Sequence, residues 1–92
     1  MKKINIKLPP NDESASLEKK IKNHLNDFFK KNTGVAEADV KLSHGAAVIS
    51  DKVCEIYLKT ESKNMFTIQT GASFESSLVK AINKLQTQLN SI

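Results

Sequence analysis

From Phe74 onward, Leu78, Ile82, Leu85, Leu89 and Ile92 recur at steps of four, four, three, four and three. That spacing lines one face of an α-helix, and a helix with a single apolar stripe must bury it against another element. The rest of the chain supplies a sheet. Ile4, Ile6 and Leu8 alternate with Lys3, Asn5 and Lys7. Ala36, Ala38, Val40 and Leu42 alternate with Glu37, Asp39, Lys41 and Ser43, and Cys54, Ile56 and Leu58 with Glu55, Tyr57 and Lys59. A period of two is the pattern of a half-buried strand. Phe66, Ile68 and Thr70 continue it as a fourth strand on the same inner face, broken at Gly71.

Between the first two strands, Leu17, Ile21, Leu25 and Phe28 share one helical face, which Phe29 widens. Pro9-Pro10-Asn11-Asp12 stops the first strand, since proline has no amide to donate. Ser14 or Ser16 can cap the helix that follows, and Gly34 suits a left-handed C-cap. His44 to Asp51, with Gly45, reads as a hairpin connection, and Glu61-Ser62-Lys63-Asn64 as a tight one. Ser73 is placed to cap the last helix, with Glu75 near its positive end. The predicted fold is α+β, in the order β-α-β-β-β-α, over a single domain of residues 1–92. It is a four-stranded mixed sheet whose first strand runs parallel to a neighbour through a right-handed crossover. Both helices pack on one face, and Val53, Tyr57, Met65 and Thr67 project from the other.

Ninety-two residues are too few for a barrel or a doubly wound sheet. One cysteine cannot form an internal disulfide, and no apolar run approaches the roughly 20 residues of a membrane span. Met1 to Lys7 alternates charge with aliphatic side chains, unlike a signal peptide, so a cytoplasmic location is expected. His24 and His44 have no second ligand at metal spacing. His24 borders the apolar stripe of the first helix, and His44 reads as a solvated loop residue. Cys54 points inward and has no basic neighbour to lower its pKa. No enzyme, metal site, cofactor or small-molecule substrate is expected.

Charge points elsewhere. Fourteen basic residues against ten acidic ones give +4, and every basic residue is lysine. Lysine meets phosphate as a point charge, without arginine's planar fork, so a nucleic-acid partner would be held by its backbone rather than its bases. Lys20, His24, Asp27 and Lys31 form a stripe flanking the apolar face of the first helix. Ser77, Lys80, Lys84, Thr87 and Ser91 form the exposed stripe of the last. Side by side, the two stripes make a candidate ridge for RNA phosphates, although exposed helix faces carry lysine for solubility too.

The run from Val53 to Ile92 resembles the sigma-54 modulation protein / ribosome hibernation-promoting factor family. The likeness lies in its strand-hairpin-strand, short turn and final helix with a K-L-x-x-Q-L signature, here Lys84-Leu85-Gln86-Thr87-Gln88-Leu89. The first strand and helix fall where that family has them, and the length resembles its short form, which lacks a C-terminal dimerisation domain. The resemblance implies a domain that binds the small ribosomal subunit in the channel of messenger and transfer RNA, blocking translation and promoting ribosome dimerisation or storage. It matches Lys84 to a basic position on the last helix and sets Lys31 near the basic end of the first. Thr87 stands where the family usually has arginine, and His24 and Asp27 stand where it usually has basic residues.

Two functions follow. One is a ribosome-associated translation inhibitor that holds ribosomal RNA through Lys20, Lys31, Lys80 and Lys84. The alternative is a diverged relative acting as a protein-interaction module through the open sheet face. A double-stranded RNA-binding domain is set aside, because Ser73-Phe74-Glu75-Ser76-Ser77 lacks the lysine cluster that module needs.

Overall fold

A computed structural model describes residues 3–9, 15–44 and 52–90. They form β1 (Lys3–Lys7), α1 (Ala15–Lys31), β2 (Val35–His44), β3 (Lys52–Thr60), β4 (Asn64–Gly71) and α2 (Phe74–Asn90). The sheet order is β1-β2-β3-β4, with β1 parallel to β2 and the remaining pairs antiparallel. The predicted α+β fold and element order are the observed ones.

Core residues come from both layers. Ile21, Leu25, Phe28 and Phe29 of α1 and Leu78, Ala81 and Leu85 of α2 meet Ala38, Val40, Leu42, Cys54, Ile56 and Leu58 of the sheet. Ser73 caps α2 as expected, its Oγ accepting the Ser76 amide at 3.1 Å. Gly71 lets β4 pass close to the start of α2: a Cβ there would crowd Ser76 Oγ at 2.9 Å and the backbone nitrogen of Ser77 at 3.1 Å. The two helices run parallel. Lys20 meets Glu75 near their starts and Asn32 meets Gln86 near their ends.

Several expectations are corrected. In β4 the inner residues are Met65 and Thr67, each 6% exposed, while Phe66 and Ile68 are 49% and 51% exposed. Thr70 is exposed as well. Hydropathy alone favours the opposite phase, but the turn decides it. Thr60 and Lys63 close the connection, the Thr60 amide donating to the Lys63 carbonyl at 3.0 Å and the Lys63 amide to Thr60 Oγ1 at 2.9 Å. Lys59 then pairs with Asn64, Leu58 with Met65 and Ile56 with Thr67, and directly opposed residues share a face. A slip of one residue turns every side chain over.

In β2 a bulge between Val35 and Glu37 gives the inner place to Val35, leaving Ala36 exposed. Gly34 does not adopt a left-handed conformation. The end of α1 is closed instead by Asn32, whose Nδ2 donates to the Phe28 carbonyl at 2.8 Å. His44 is the last residue of β2 rather than part of a loop. Ser77, expected on an exposed stripe, is fully buried, and its hydroxyl donates to the Phe74 carbonyl at 3.0 Å. Ser16 lies inside α1 and does not cap it. Ser14, most of the predicted hairpin (residues 45–51), Ser91 and Ile92 lie outside the described residues.

Candidate nucleic-acid interface

The four candidate lysines fall on two flanks of α2 rather than one ridge. Lys20 and Lys31 belong to the side of α1 that faces α2. There the Lys20 ammonium pairs with the Glu75 carboxylate at 3.3 Å, while His24, Asp27, Lys31, Asn83 and Gln86 line the groove between the helices. Lys20 is already paired with Glu75, and Lys31 shares its groove with the Asp27 carboxylate, which weakens the pull of this side on a polyanion.

The opposite flank of α2 borders β4. Lys80 Nζ donates to the Thr70 carbonyl at 3.1 Å. Lys84 shares an open cleft with Lys63, Asn64, Met65, Phe66, Thr87 and Gln88. Residues 64–74 contain no charged side chain, so nothing on β4 offsets these three lysines. Lys63 is the member that sequence reasoning missed. It sits in the turn before β4, and only the β3–β4 hairpin carries it to α2.

The K-L-x-x-Q-L signature divides between packing and surface. Leu85 is buried, and Leu89 packs partly against the core. Gln86 forms a reciprocal amide pair with Asn32: Asn32 Nδ2 donates to Gln86 Oε1 at 2.7 Å, and Gln86 Nε2 returns a bond to Asn32 Oδ1 at 3.1 Å. Of the six residues, Lys84, Thr87 and Gln88 line the cleft beside β4. Each net hydrogen bond of this kind contributes roughly 1 kcal/mol. Asn32→Ala, which also frees the Phe28 carbonyl, is expected to cost about 1–2 kcal/mol in urea unfolding, and Gln86→Ala somewhat less. Strict additivity of the two in the double variant would show that the pair is not coupled.

Neither histidine nor the cysteine forms a reactive constellation. His44 packs edge-on to Phe74, with ring centroids 5.5 Å apart, and Lys52 Nζ lies 3.2 Å from its Nδ1. Cys54 is fully buried. Burial, with a smaller contribution from the Glu55 carboxylate, pushes its thiol from 9.0 up to about 12, the reverse of what a nucleophile needs. In the unfolded chain this thiol ionises above about pH 9 while in the fold it stays neutral. Its contribution to stability is therefore complete below pH 9 and declines toward pH 12. Relative to Cys54→Ala, the wild type is expected to lose up to about 1.4 kcal/mol per pH unit in that window. Urea midpoints at pH 8 and pH 10.5 measure this, and parallel profiles would contradict it.

Among the described residues no group of His, Cys, Asp and Glu side chains could hold a metal ion, and no described helix is long and apolar enough to cross a membrane. No model of a protein family matches the sequence, and no curated protein matches it. Solved structures do. A ribosomal subunit interface protein from Coxiella burnetii superposes with a TM-score of 0.80 at 12% identity, over 95% of this chain and 92% of that one. The N-terminal domain of Protein Y from Thermus thermophilus gives a TM-score of 0.74 at 18% identity, over 96% and 94%. The chain has their fold. Both neighbours are in keeping with the hibernation-promoting factor resemblance carried by the run from Val53 to Ile92.

Proposed function

We propose that this chain is a cytoplasmic, ribosome-associated protein that binds RNA of the small subunit and thereby inhibits translation or promotes ribosome hibernation. The observation that carries the reading is the fold it shares, over nearly the whole of both chains, with a ribosomal subunit interface protein. The lysines beside β4, which no charge on that strand offsets, support it. Lys80 and Lys84, joined by Lys63, supply point charges for phosphates, and Lys20 and Lys31 contribute less because Glu75 and Asp27 offset them. With lysine as the basic residue throughout, affinity comes from backbone phosphates and counterion release, and base sequence is read weakly or not at all.

Co-sedimentation of the purified chain with isolated small and large ribosomal subunits tests the assignment, paired with translation of a reporter messenger in a cell-free extract. Retention on small subunits and a dose-dependent fall in reporter synthesis are expected. Retention on large subunits alone, or translation unaffected at saturating protein, would contradict it.

A further inference from the structure

The two edges of the sheet are treated differently. β1 is five residues long, carries Lys3 and Lys7, and is followed closely by Pro9, the devices that keep an edge from pairing with another chain. β4 is eight residues long and has no proline or charge. Its two sides also differ. On the open face Phe66 and Ile68 are half exposed, and Phe66 lies opposite Tyr57 of β3. On the helix side the edge is bordered by Lys80, which reaches Thr70, and by the cleft that Lys63 and Lys84 share.

We propose that the free edge of β4 is a strand-addition site for an extended segment of a partner protein, in which apolar and acidic residues alternate. A strand laid along β4 would take up the backbone groups that β3 leaves open, other than the Thr70 carbonyl that Lys80 holds, and its side chains would point alternately to the two faces. Those on the open face meet Phe66 and Ile68 and extend the apolar patch. Those on the helix side enter the cleft beside Lys63 and Lys84, where a carboxylate finds positive charge. The charge pattern selects this occupant over a second copy of the chain. Two β4 edges paired about a two-fold would bring the lysines of both α2 flanks together. The site does not depend on the ribosome reading, because Phe66 and Ile68 take part in the one and not the other.

The probe is an end-blocked, fluorescently labelled peptide as long as β4, alternating glutamate and valine, followed by anisotropy and by amide hydrogen exchange of the full chain. Binding is expected, with β4 amides slowed and β1 amides unchanged. Lys84→Glu is expected to weaken binding about tenfold, and Ile68→Lys several-fold, each with wild-type circular dichroism. Ile68→Lys should leave retention on small subunits unchanged, so failure of the peptide and failure of ribosome binding are read separately. No binding would overturn the site. Equal binding of a lysine–valine peptide, or of a peptide with its glutamates and valines in separate blocks, would do the same. Self-association that Ile68→Lys abolishes and the peptide cannot displace would assign the edge to a second copy. Displacement of the peptide by single-stranded RNA that itself requires Ile68 would assign it to nucleic acid.

Discussion

Met65→Lys is expected to lower the free energy of unfolding by about 3 kcal/mol or more, whereas Phe66→Lys one position along should change it by less than about 1 kcal/mol. Met65 is 6% exposed and Phe66 is 49% exposed. An ammonium at position 65 would be held against Leu58 and beside Lys63 and Lys84, which line the same cleft, so desolvation and like charge act together. At position 66 the same ammonium reaches water. A domain of this size has about 5–10 kcal/mol to lose, so the first variant should melt far below the second. Urea unfolding followed by circular dichroism gives both values. The reverse order would put β4 in the opposite phase and bury the patch on which the strand-addition site rests.

Reversing the two flanks of α2 separately should have unequal effects on RNA. The double variant Lys80→Glu, Lys84→Glu is expected to weaken retention on small subunits by about tenfold to a hundredfold at low salt. Lys20→Glu, Lys31→Glu should weaken it less than about threefold, since both lysines already share their groove with an acidic residue. All four side chains are exposed, so both variants should keep the wild-type far-ultraviolet spectrum. Equal losses from the two pairs would restore the single ridge that the helical wheels suggested.

What the sequence made legible was whatever a single element determines. The stripe from Phe74 to Leu89 and the alternation in β1, β2 and β3 set the element order and most of the core. The failures lie where a second element decides. The phase of β4 depends on how the Thr60–Lys63 turn registers it against β3. Val35 displaces Ala36 through a bulge formed with β3, and Ser77 is buried because α2 packs at the point where Gly71 lets it come close. The candidate site fared similarly. The exposure of Lys80 and Lys84 is legible from their wheel positions. Their separation from Lys20 and Lys31, the neutralisation by Glu75, and the addition of Lys63 all arise from packing between elements distant in the chain.

Lysine–phosphate contacts, as proposed for the hold on the small ribosomal subunit, are read out by the affinity for purified small subunits across a series of salt concentrations. Each phosphate neutralised contributes about 0.7 to 0.9 to the steepness of log affinity against log salt. Contacts from Lys63, Lys80 and Lys84 therefore predict a slope of about −2.1 to −2.7, its magnitude reduced by about 1.4 to 1.8 when Lys80 and Lys84 are replaced. A slope near zero, or no retention even at the lowest salt, would rule out lysine–phosphate contacts as the hold.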